Sequence, residues 1–120
     1  MYLNFITYAN LYEECEMYIG DNALEMYVHE RGWQEWMEGN EPDEIVFMLE
    51  TIYGISKMDY KALRERMGIN VRAQMARDYR IKLRTLEDWE SGRGNPPEHV
   101  KLLLSYTVFM HLINEEERGS

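Results

Sequence analysis

Apolar residues recur along the chain at helical rather than alternating spacing, which predicts an all-α protein. Leu3, Phe5, Ile6, Leu11, Tyr12, Cys15 and Tyr18 mark a first helix, with Gly20 as its stop. The opening stretch YLNFITY is rich in strand formers, so a short strand there is the alternative. Asp21 or Asn22 can accept a bond from an orphan N–H and so start a second helix, running through Leu24, Val28 and Trp36 to Gly39. Asn40-Glu41-Pro42 opens a third, with proline near the first turn, where its missing N–H costs nothing. Ile45, Phe47, Met48, Ile52 and Tyr53 form its apolar side, and Gly54 is the expected end.

The second half is more sharply punctuated. Ser56-Lys57-Met58-Asp59 has capping-box spacing, with Asp in place of Glu or Gln. The helix after it carries Tyr60, Leu63 and Met67 and stops at Gly68. Asn70 can cap the next, whose inward positions are Val71, Met75 and Tyr79. Residues 83–91 form a short helix ending at Gly92. Pro96-Pro97 starts a last one, with Val100, Leu103, Leu104, Val108 and Leu112 facing inward. No internal repeat or low-complexity segment interrupts this order.

Composition sharpens the picture. A chain of 120 residues that is 45% hydrophobic can bury a core without disulfides or a structural metal. Cys15 stands alone, which excludes an intramolecular disulfide and makes a reducing cytoplasm the expected compartment. The N-terminus has neither a basic segment nor a long apolar run, so no signal peptide is expected, and no apolar stretch is long enough to predict a membrane span.

The formal net charge of -9 hides an asymmetry. Residues 1–52 hold twelve acids and one cation, Arg31, for a net of -11. Residues 53–112 hold eleven cations against seven acids, a net of +4. Opposite signs on two halves suggest two surfaces with different partners.

Enzyme chemistry finds little footing. His29, His99 and His111 are scattered, with no metal-ligand spacing among them. There is no glycine-rich phosphate loop and no Ser/His/Asp constellation. Cys15 lies on an apolar helical face and reads as core. No catalytic residue, metal or cofactor is therefore expected.

The stretch MARDYRIKLRTLEDWESGRGNPP carries the most specific pattern. Ala76, Ile81, Thr85, Leu86, Trp89, Glu90, Gly92 and Pro96 fall at the spacing of a small residue, an apolar residue after a turn, and T-[IL]-x-x-W-E-x-G-x-x-x-P. In this it resembles the central signature of the Cro/repressor (XRE) family of helix-turn-helix proteins, and LRERMG from Leu63 to Gly68 resembles the family's opening helix. The resemblance covers residues 59–112. It implies an all-α, Cro/repressor-like helix-turn-helix domain over 56–116, preceded by an acidic helical extension over 1–55.

The spacing also has physical content. Ala76 is small where the recognition helix crosses close, while Leu83, Leu86 and Trp89, three apart, are expected to bury that helix's underside. The second helix of such a pair projects its N-terminal residues into a major groove. The resemblance implies Arg84, Thr85 and Asp88 at base edges, with Arg72, Lys82 and Arg93 on the phosphate backbone. It further implies a structural pair between Glu90 and Arg64. The pattern is departed from in three ways. Arg80 replaces the turn glycine, Gly68 lies one residue too far from Ala76, and Glu87 and Asp88 put two acids on the face that would meet DNA.

The first half is expected to serve as an interaction surface. Trp33 and Trp36, three apart, are expected to pack one helical face against the next helix. A surface rich in Tyr, Trp and Met suits self-association, so a homodimer on two half-sites of duplex DNA is the simplest use. The leading expectation is thus a transcriptional repressor, from a phage or other mobile element. A small acidic chain with a helix-turn-helix half also resembles some phage-encoded anti-CRISPR and anti-restriction proteins. That alternative implies protein–protein binding to a host nuclease complex, with Glu13, Glu14, Glu35 and Glu38 as partner-facing acids.

Overall fold

The computed structural model describes residues 1–69 and 72–119, and among them every regular element is helical. The expected cap at Asn70 and the inward Val71 lie outside the described residues. The helices are α1 (Phe5–Glu14), α2 (Ala23–His29), α3 (Pro42–Ser56), α4 (Tyr60–Arg66), α5 (Arg72–Tyr79), α6 (Leu83–Ser91) and α7 (Glu98–Gly119). Short 3-10 turns occupy Cys15–Met17 and Glu35–Met37.

Local chemistry fixes three of the starts, whereas the expected side-chain cap at Asp21 or Asn22 is not made: Asn22 precedes α2 with a φ of +63° and no side-chain bond. The Asn4 side chain accepts from the Thr7 N–H at 2.8 Å, so α1 begins there and residues 1–4 form no strand. Glu41 N–H donates to the Glu44 carboxylate at 2.9 Å and Pro42 takes the first position of α3. Asp59 accepts from Ala62 N–H at 2.8 Å and starts α4. Ser56 is not part of that cap. It ends α3 and donates its hydroxyl to Tyr53 O at 2.6 Å.

Three of the expected helix ends fall elsewhere: α1 stops at Glu14 and passes into the 3-10 turn, short of Gly20. Gly54 does not end α3, which continues to Ser56. The second helix stops at His29 instead of reaching Gly39. Arg31 explains the stop: its Nε and Nη2 donate to Tyr27 O at 3.0 and 2.8 Å, satisfying a carbonyl that the helix would otherwise have used. Trp33 and Trp36 therefore share no helical face. Trp33 is 70% exposed, and Trp36 sits in the 3-10 turn with its indole N–H donating to Gln34 Oε1.

The larger core gathers Tyr8, Tyr27, Met48, Ile52, Phe109 and Ile113, among others, from α1, α2, α3 and α7. Its tyrosines bury their rings and satisfy their hydroxyls. Tyr8 donates to Ser105 Oγ at 2.9 Å, Tyr27 to Leu11 O at 2.6 Å, and Tyr106 to Leu3 O at 2.6 Å. A smaller core holds Tyr60, Met75, Leu86 and Leu104, one from each of α4, α5, α6 and α7. Helix α7 thus serves both, with Leu104 in one and Val108, Phe109 and Ile113 in the other. Leu103 is 51% exposed rather than inward. Successive helical residues lie about 100° apart, and Leu104 takes the inward direction. No helix among the described residues is long and apolar enough to cross a membrane.

Candidate nucleic-acid interface

The smaller core holds α6 by one side only. Leu86 is fully buried, and Trp89 packs edge-on against Tyr60 with ring centroids 5.4 Å apart. Beside them, Arg64 on α4 meets Glu90 on α6 in a two-pronged pair, Nε to Oε2 and Nη2 to Oε1, both at 3.0 Å. Each side chain is only 7% exposed. Arg64 also donates to Ile69 O at 2.7 Å, so one guanidinium ties α6 to α4 and to the chain leaving α4. The pair implied by the family resemblance is present, and it is buried.

The turn between α5 and α6 is built around Arg80, whose φ is +58°. Ile81 N–H reaches back to Ala76 O at 3.1 Å, closing α5 in the Schellman manner that favours glycine at this position. Arg80 bears the cost of that positive φ and offsets part of it by folding its guanidinium back, with Nη1 donating to Arg77 O at 2.7 Å and Asp78 O at 3.3 Å. Its charge thus sits on the carbonyl end of α5, where cations are favoured. The Gly68 and Gly92 turns, with φ of +79° and +83°, close α4 and α6 by the same reach-back bond.

What α6 presents outward is its first turn. Lys82 and Arg84 are exposed and Thr85 is half-buried. Leu83 is 41% exposed, not buried beneath the helix as its spacing suggested. It lies on the turn where α6 enters from the Arg80–Lys82 bend, one turn before Leu86 reaches the core. Arg72 is exposed at the start of α5. Asp88 and Arg93 are joined, Oδ1 to Nε at 3.2 Å, and Arg93 stays 68% exposed. This gives one of the two acids on the outer face a cation, though it engages an arginine assigned to phosphate. Two exposed cations, Arg77 and Arg80, were missed as candidates, although they continue the run of basic residues toward Lys82 and Arg84.

The four acids of the N-terminal half do not form one patch. Glu14 and Glu35 line a groove between α1 and the second 3-10 turn, with Asn10 and Trp36. Glu14 is already paired with Arg31 at 2.9 Å. Glu13 lines a different groove with Glu16, Glu98 and Lys101, and Glu38 is exposed at the end of the second 3-10 turn. Cys15 is buried and donates its thiol to Leu11 O at 3.4 Å, and burial pushes its pKa up. Both properties suit a core residue and suppress the thiolate. No protein-family model, curated protein or solved structure matches the chain.

Proposed function

We propose that α4–α7 form a helix-turn-helix module of the Cro/repressor type that sets the first turn of α6 into the major groove of duplex DNA. The chain would then act as a sequence-specific transcriptional repressor. One observation carries the reading. Helix α6 is locked from beneath by Leu86 and the Arg64–Glu90 pair, while Lys82, Leu83 and Arg84 stand exposed on its first turn. A reading head needs both properties, a rigid seat and a free end.

In this arrangement Arg84 is placed to donate to a guanine edge, Thr85 to hydrogen-bond a base, and the half-exposed Leu83 to touch a thymine methyl. Lys82 and Arg72 take phosphates, with Arg80 alongside them at the turn. Arg93 offsets Asp88 and reaches phosphate from the far end of α6. A homodimer would present two such heads to half-sites related by a two-fold axis.

The test is binding to duplex DNA from the promoter of the chain's own gene. Binding falls steeply as salt rises, because cations displaced from phosphates are released into solution. Replacing Arg84 and Arg93 together by Ala abolishes promoter preference while the helical content is unchanged. Intact promoter binding in that double variant means that this face of α6 does not meet DNA.

A further inference from the structure

The outer faces of α3 and α7 meet in an open groove of about 510 Å³ along the edge of the larger core. Its floor is apolar, from Phe47, Ile55, Met58 and Leu112. Its walls are acidic, with Glu50 on α3 and Glu115 and Glu116 on α7. At the Phe47–Glu116 end it runs into a second hollow of about 380 Å³, edged by Glu41, Asp43, Glu44 and Glu117. Among the described residues lining the two, the cations are Arg66 and the Met1 ammonium, which pairs with Glu117.

Gly54 supplies an observation independent of charge. It lies on the groove inside α3, where glycine weakens a helix, and it has no positive φ to require it. A Cβ built there meets nothing within 4 Å, so no neighbour in the fold demands its smallness either. A helix backbone left bare beside an apolar floor lets another chain approach closely.

We infer that this groove docks a basic amphipathic helix of a partner protein, apolar side down across Gly54 and Lys or Arg toward the acidic walls. The charge pattern selects the occupant. Carboxylates lie on both sides of an apolar strip, which complements a helix bearing apolar residues at every third or fourth position between cations. DNA is repelled by the same walls, so the site is separate from α6 and does not depend on the reading proposed for it.

The probe is a synthetic labelled helix of about four turns with Leu on one face and Lys on the other. A peptide of the same composition in scrambled order and a Leu/Glu helix serve as controls, all read by fluorescence anisotropy. The Leu/Lys helix is expected to bind about tenfold or more tightly than the scrambled peptide, and the Leu/Glu helix not at all. Gly54→Leu fills the floor with a better helix former, so it keeps the fold, and it lowers affinity by about tenfold. Glu50→Lys lowers it further at low salt than at high salt. Equal binding of ordered and scrambled peptides, or affinity unchanged by Gly54→Leu, overturns the proposal. So does concentration-dependent self-association that Gly54→Leu abolishes, since the occupant is then a second copy of this chain.

Discussion

The two cores of this molecule solve the same packing problem with different materials. The larger one, under α1, α2, α3 and α7, is built on aromatic rings whose hydroxyls end on backbone or Ser oxygens. The smaller one, under α4–α7, has fewer apolar side chains and sets a buried ion pair between two of its helices. The difference shows in where charge is placed. The acidic half keeps its carboxylates largely at the surface and uses a single cation, Arg31, whose guanidinium also lies over the Tyr27 ring at 4.6 Å. The basic half spends one of its many cations inside, at Arg64, and keeps the rest outside.

The comparison breaks most sharply at Arg64. Arg64→Ala strands Glu90 in the small core and lowers stability by about 3–5 kcal/mol, read as a shift of the urea midpoint. Replacing both partners by apolar residues of similar volume costs far less, because no uncompensated charge remains. The matching change in the acidic half, Arg31→Ala, is expected to cost only about 1–3 kcal/mol, since Glu14 retains access to water. Equal losses at the two sites would erase the contrast between the cores.

Alkaline titration sharpens it in the other direction. Burial raises the pKa of Tyr8 and Tyr27 well above the ordinary value of 10.0, and pushes that of Tyr60 up to about 12. A pKa raised on folding contributes stability that is fully present below the unfolded value and lost as pH climbs above it. The chain is therefore expected to lose stability above about pH 10, in step with tyrosinate absorbance, and the tyrosine-rich larger core carries most of the effect. Tyr27→Phe flattens that slope, at a loss of about 1 kcal/mol near neutral pH from the hydroxyl bond to Leu11 O.

The smallest expected effect lies at the turn. Arg80→Gly removes the cost of a positive φ and also the side-chain bonds to Arg77 O and Asp78 O. The net gain is expected to stay within about 1 kcal/mol. Arg80→Ala keeps the strain, loses the bonds, and melts below both the native chain and the Arg80→Gly variant in a thermal scan.

The sequence was most readable where one local interaction decides the outcome. Pro42, Gly68 and Gly92 mark their helix ends as expected, whereas the cap of α4 is Asp59 itself and not the Ser56 that opens the capping-box spacing. Helical spacing turns Trp89 inward, and the family resemblance implies both the Glu90–Arg64 pair and a glycine position at Arg80, whose φ is positive. Readings failed where a distant or competing partner decides. Arg31 ends α2 by reaching back to Tyr27 O, an outcome that periodicity cannot register, and the two tryptophans lose their shared face as a result. Leu83 and Leu103 carry the right spacing yet lie partly in solvent, because spacing gives direction around a helix but not whether a neighbour stands opposite. The pairing of Asp88 with Arg93 and the scatter of Glu13, Glu14, Glu35 and Glu38 over different grooves are likewise tertiary facts.

The central claim is that the free first turn of α6 reads base sequence. Selection of bound duplexes from a random pool tests it directly, comparing the native chain with Arg84→Ala under the same salt. The native chain is expected to enrich a motif with two related half-sites, and Arg84→Ala to relax the preference at a G·C position, a discrimination worth about 1–3 kcal/mol. No enriched motif from the native chain, or an identical motif from Arg84→Ala, would contradict it.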